Sequence, residues 1–200
     1  VFADADLAAA LDGVVEGITG SCGQMCIAGS RLFIQESIAE EFIAQIKVRF
    51  ENLVVGDPRE SGTQVGPQVT ELQAKKTLDY IEIAKKDGGK VIAAAKVPSG
   101  AALANGFYVP PTAFVNLPNS SAVVQEEIFG PVLSIATFKD EADAIAKAHD
   151  SDFGLAAGVW TSDISRAHRV AGELRVGNIW VNTYRVLSDL MPFGGVGSSG

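Results

Sequence analysis

Residues 21–30 read SCGQMCIAGS and hold both cysteines of the chain, Cys22 and Cys26. A cysteine attacks a carbonyl carbon as its thiolate. A loop rich in backbone N–H groups near a helix terminus favours that form by lowering the thiol pKa. Gly23, Ala28 and Gly29 are small enough to let a substrate approach the backbone beside Cys26. The competing assignment for either thiol is a small apolar filler beneath the loop. Two cysteines four residues apart are too few for a disulfide framework and do not form a C-x-x-C pair, so a reducing, cytoplasmic setting is expected.

Other chemical signals are weaker. His149 and His168 lie in helical segments with no cysteine or second histidine at ligand spacing, so no metal site is expected. Gly195, Gly197 and Gly200 spell G-x-G-x-x-G, a pattern that binds dinucleotides only between a strand and a helix. Here LSDLMPF, with Pro192, precedes it, and a tight backbone turn is predicted instead. Asn119-Ser120-Ser121 reads as a polar loop.

The elements that must carry these residues alternate. ADADLAAALDGVVEGI places Asp4 and Asp6 near a helix N-terminus. RLFIQ (31–35) is apolar enough for a buried strand. In SIAEEFIAQIKVRFENL, Ser37 and Glu40 have the spacing of a capping box, and Ile38, Phe42, Ile46, Phe50 and Leu53 recur at three- and four-residue intervals. Residues 70–87 return to helical spacing, and GGKVIAA turns into a strand. FYVPPTAFV is extended, with Pro110 and Pro111 confining it to an edge or end position. Then follow the strand GPVLSIATF, the helix DEADAIAKAHD, the strand LAAGVW, the helix DISRAHRVAGEL and the strand GNIWVN. This succession implies parallel strands with helical crossovers, an α/β fold with a mostly parallel sheet flanked by helices.

Bulk properties narrow the function classes. A formal charge of −8 over 200 residues leaves no basic surface for nucleic acid. No apolar run is long enough to cross a bilayer. Without an initiator Met, and with GGVGSSG closing it inside a glycine-rich turn, the sequence reads as a single domain cut at both ends.

Six segments occur in order: GQMCIAGSR (23–31), VGDP (55–58), EEIFGPV (126–132), GLAAGVWT (154–161), GNIWVN (177–182) and MPFGG (191–195). Together they resemble the NAD(P)-dependent aldehyde dehydrogenase superfamily along essentially the whole chain. The resemblance implies that residues 1–200 form the catalytic, cysteine-bearing domain, without the cofactor-binding domain. It makes Cys26 the nucleophile, by way of a thiohemiacetal and a thioester, and leaves Cys22 without a role. Glu127 matches the residue that hydrogen-bonds the nicotinamide ribose, and Phe129 the aromatic beside the nicotinamide. Met25 and Ile27 flank the nucleophile, and Phe193 matches an aromatic of the aldehyde tunnel. TYRVLSD (183–189), with Arg185 and Leu187, occupies the substrate-loop region; Arg185 there meets an anionic substrate group, or is a solvated or interface arginine.

The cofactor implied is NAD or NADP, the substrate an aldehyde, and the assembly a homo-oligomer, dimer or tetramer, with no nucleic acid or membrane partner. The family's oxyanion asparagine and its E-L-G-G-K glutamate would lie before Val1, so residues 1–200 alone are expected to be inactive as a dehydrogenase. Two other readings remain open: a pseudoenzyme or oligomerisation module, and a thiol esterase independent of nicotinamide.

Overall fold

Helix α1 (Leu7–Thr19) starts where Asp6 accepts hydrogen bonds from the backbone N–H groups of Ala8 and Ala9, both at 3.1 Å. This satisfies donors that the first helical turn leaves free. Asp4 is not part of the cap; its carboxylate bonds Thr161 Oγ1 and pairs with Arg166. The computed structural model describes residues 1–100 and 103–200. After α1 come β1 (Arg31–Gln35), α2 (Ala39–Glu51), α3 (Glu71–Lys86), β2 (Lys90–Ala94) and β3 (Thr112–Val115). The rest of the chain forms α4 (Ala122–Gln125), β4 (Val132–Phe138), α5 (Glu141–His149), β5 (Phe153–Gly154), β6 (Ala156–Val159), α6 (Ile164–Glu173), β7 (Asn178–Val181) and β8 (Val196–Gly197).

The capping box expected at Ser37 does not form. A 3-10 turn, Glu36–Ile38, carries the chain straight from β1 into α2, whose first residue follows Ile38 without a side-chain cap. The apolar spacing behind it holds, since Phe42, Ile46 and Phe50 are all buried. Burial of a large aromatic contributes about 2–3 kcal/mol, more than the roughly 1 kcal/mol of a cap. Packing therefore keeps the helix without the box.

The sheet order is β1-β4-β3-β2; β1, β4 and β3 are parallel, and β2 is antiparallel to β3. Strand β3 is interior, so the two prolines mark its end rather than an edge: they precede Thr112, the first residue of the ladder. Strands β6 and β7 form a separate parallel pair. Residues 1–2 join the two sets. Val1 N donates to Phe33 O at 2.7 Å, Gln35 N to Val1 O at 3.0 Å, and Phe2 N to Trp160 O at 3.0 Å. The array thus runs β2-β3-β4-β1-(1–2)-β6-β7, with helices against it: the α/β, mostly parallel arrangement expected. The glycine-rich 195–200 segment is a turn, in which Gly197 (φ 61) is the second residue of a two-residue pairing of β8 with β5.

Candidate active site

The cysteine loop begins as α1 ends. The chain reverses through three consecutive left-handed residues, Ser21 (φ 53), Cys22 (φ 58) and Gly23 (φ 70). Each non-glycine residue in that region costs on the order of 1–2 kcal/mol, and such strain persists only when the surroundings enforce it. The enforcing contacts are visible. Gln68 Nε2 donates to Cys22 O at 3.1 Å, and Val69 N donates to Gln24 Oε1 at 2.9 Å. A Cβ on Gly23 would fall 2.3 Å from the carbonyl carbon of Gly130, so two backbone segments touch there.

Beyond Gln24, Ala28 N donates to Met25 O at 2.9 Å and closes a turn with Cys26 and Ile27 at its centre. Ile27 is buried and Cys26 is exposed, so the turn holds its apolar member inside and presents the thiol. The backbone N–H of Cys26 has no protein acceptor among the described residues. Cys22 differs on every count. It is half-buried, its thiol donates to Gly66 O at 3.4 Å, and burial pushes its pKa up.

The EEIFGPV segment lies between α4 and β4 and is held by α3. Tyr80 donates its hydroxyl to the Glu126 carboxylate, and that bond raises the Tyr80 pKa to about 12. Lys76 Nζ donates to Glu127 O at 2.8 Å, while Gln73 Nε2 donates to Ile128 O at 3.0 Å and to Phe129 O at 2.9 Å. Phe129 takes a left-handed conformation (φ 60) within this grip. The two acids are thereby distinguished. Glu126 is tied to Tyr80, whereas the exposed Glu127 carboxylate has no hydrogen-bond or ion-pair partner among the described residues.

Met25, Cys26, Ile27, Glu127 and Phe129 line one cavity of about 460 Å³, whose lining also takes in residues of β1 and β6. Arg185 lies outside its lining but touches it through Met25, with Nη2 2.8 Å from Met25 Sδ. Leu187 and Phe193 do not line it; both are at least half exposed, on a C-terminal segment that also exposes Leu190 and Met191. Among the described residues no three His, Cys, Asp or Glu side chains cluster as metal ligands, and no helix is long and apolar enough to cross a membrane.

Comparison with known proteins places this geometry. Residues 1–200 match the model of the aldehyde dehydrogenase family. The chain belongs to that family. The whole chain is 42% identical to the betaine aldehyde dehydrogenase of Sinorhizobium fredii and 43% identical to that of Rhizobium johnstonii. It spans 41% of the length of each. Among solved structures, HpcC from Thermus thermophilus superposes with a TM-score of 0.95 at 42% identity, over 100% of this chain and 39% of that one. A betaine aldehyde dehydrogenase from Staphylococcus aureus, solved with NAD+, gives a TM-score of 0.94 at 35% identity, over 98% of this chain and 39% of its own.

The ordered motifs carry the resemblance to the family, but several residues that shape the site lie outside them. Gln68, Gln73, Lys76 and Tyr80 act on partners 46 to 56 positions away. Nothing in their own neighbourhood marks them: on and just before α3 they read as the polar face of an ordinary helix.

Proposed function

We propose that the chain is the catalytic domain of an aldehyde dehydrogenase that oxidises an aldehyde to a carboxylic acid with NAD or NADP, with Cys26 as nucleophile. The observation that carries this reading is the exposed Cys26 thiol, on a braced turn, opening on the same cavity as Glu127 and Phe129. Its backbone N–H, without an acceptor among the described residues, can receive the charge that develops on the substrate oxygen.

The chemistry follows from those groups. The Cys26 thiolate adds to the aldehyde carbon; a C–S bond forms and the carbonyl electron pair moves to oxygen, giving a thiohemiacetal oxyanion. Collapse of the oxyanion restores the carbonyl and expels the aldehyde hydrogen as hydride, leaving a thioester on Cys26. The nicotinamide cofactor, when bound, supplies the acceptor for that hydride. Water then attacks the thioester carbon, the C–S bond breaks, and the acid and free thiol are released. The oxyanion asparagine and the glutamate base implied by the family resemblance are not assigned to any residue of 1–200.

The residues present fit one wall of a cofactor site. Glu127, whose carboxylate has no partner among the described residues, can accept from vicinal ribose hydroxyls. The half-buried Phe129 offers an aromatic face to a flat ring. Lys76, Gln73 and Tyr80 keep this wall in place through its backbone and its other acid. A homo-oligomer is part of the proposal, and the exposed Val186, Leu187, Leu190 and Met191 are apolar surface that an assembly or a further domain would cover.

The two thiols provide the test. With iodoacetamide near neutral pH, Cys26 is expected to be labelled at least about tenfold faster than Cys22, since Cys26 is exposed whereas Cys22 is half-buried with its thiol pKa pushed up by burial. Aldehyde-dependent reduction of NAD by the native protein is expected to decline in step with Cys26 labelling. Slow, equal labelling, or activity that survives full modification of Cys26, rejects the proposal.

A further inference from the structure

The three residues around the thiol are treated differently by the rest of the molecule. Cys26 is exposed, while the residues on either side of it are each held by one of two consecutive residues from the C-terminal loop. Tyr184 donates its hydroxyl to Ile27 O at 3.0 Å. Arg185 places Nη2 against Met25 Sδ at 2.8 Å and donates from Nη1 to Glu16 O at 3.0 Å, the carbonyl that also receives the Gly20 N–H at the end of α1. The pair therefore spans the cysteine and ties its turn to the helix before it.

The clamp is itself built at a cost. Arg185 has φ 65, a left-handed conformation outside glycine, and its Nε is buried with no partner among the described residues. Two glycines make room for the pair. A Cβ on Gly20 would lie 1.7 Å from Arg185 Nη1, and one on Gly158 would lie 2.8 Å from the Tyr184 ring. The loop that presents the pair is closed by two further contacts. Trp180 Nε1 donates to Val186 O at 2.7 Å, and Asn182 exchanges two hydrogen bonds with the backbone of Thr161. Trp180 also meets the Tyr184 ring edge-on, with centroids 5.1 Å apart. A strained arginine, an unpaired buried N–H and a braced tyrosine hydroxyl converge on the two residues adjoining one exposed thiol.

We propose that Tyr184 and Arg185 are positioning residues that set the presentation of Cys26. This rests on Cys26 being the nucleophile. Neither side chain needs to touch the substrate. Tyr184 fixes the carbonyl on one side of the cysteine, and Arg185 fixes the side chain on the other. The thiol is then held at one distance and angle from the reacting carbon, where a misplacement of about 1 Å costs on the order of 10²-fold in rate.

Tyr184→Phe removes the hydroxyl and keeps the ring, so it isolates the bond to Ile27 O. In the native protein it is expected to lower the single-turnover rate of aldehyde oxidation about tenfold or more, with KM for aldehyde and for cofactor within about threefold. Labelling of Cys26 by iodoacetamide, a small reagent that approaches from any direction, is expected to stay within about twofold. Arg185→Met is expected to lower the same rate, and Arg185→Lys to recover part of it by keeping a cationic donor near Glu16 O. An unchanged single-turnover rate in Tyr184→Phe overturns the proposal, as does a loss of rate matched by an equal loss of Cys26 labelling or of folded protein. Retained oxidation in Cys26→Ala would instead overturn the nucleophile assignment beneath it. The two failures are read from different variants.

Discussion

In the native protein, Cys26→Ser is expected to abolish aldehyde oxidation, by about 10³-fold or more, with no measurable loss of folding. A serine hydroxyl is essentially un-ionised near neutrality and has no assigned base among residues 1–200, whereas a thiol is partly ionised there and is the stronger nucleophile. Loss of a covalent nucleophile of this kind leaves only what binding and electrostatic stabilisation supply, which sets the scale of the drop. The fold should be indifferent because Cys26 is exposed and its side chain makes no hydrogen bond among the described residues. Cys22→Ser is the control. Its thiol donates only a weak bond to Gly66 O, so activity within about threefold of the parent is expected. The measurement is initial rate with saturating aldehyde and cofactor, alongside thermal melting of each variant. A Cys26→Ser protein retaining a tenth of the parent rate, or a Cys22→Ser protein losing most of it, removes the basis for separating the two thiols.

That separation shows what the sequence could and could not say. Apart from α4, β5 and β8, the order of strands and helices was legible from apolar patterning, because burying Phe42, Ile46 and Phe50 on one face leaves a repeat in the chain and burying VLSIATF between two neighbours leaves a near-continuous apolar run. The capping box at Ser37 failed because a local pattern competes with where the preceding strand ends, which no local pattern contains. The insertion of residues 1–2 between β1 and β6 was equally invisible. It depends on pairing among segments more than thirty residues apart, and on backbone groups that every residue carries alike. Within the site, GQMC and EEIFGPV identified the two loops, and the structure lines one cavity with residues from both. The grip of Gln73 on Phe129 O, and that of Tyr184 on Ile27 O, could not be read. A glutamine on a helix and a tyrosine in a loop have many possible partners, and only the fold selects one.

Gly23→Ala is expected to produce the second large effect, and it tests the contact between those two loops. The position combines two constraints that usually occur apart. Its φ of 70 lies in the left-handed region, where an alanine costs about 1–2 kcal/mol. The added Cβ would also sit 2.3 Å from Gly130 C and 2.5 Å from Pro131 N. Those are main-chain atoms of the segment carrying Glu127 and Phe129, held from behind by Gln73 and Lys76. No side chain can swing away to relieve the overlap, so one of the two loops must move. The combined cost should reach about 2–4 kcal/mol of folding stability, in the range of strained or overpacked sites. Activity should fall further than stability explains, because the displacement separates the thiol from the cofactor wall by the distance the clash imposes. Measured well below the melting temperature, where the variant is fully folded, kcat/KM is expected to drop about 10²-fold, on the scale of an ångström-sized misplacement. Gly62→Ala, where a Cβ would meet nothing within 4 Å, is the matched control and should change neither quantity. Wild-type activity in folded Gly23→Ala would show that the two loops can part without consequence, and that their contact is packing alone.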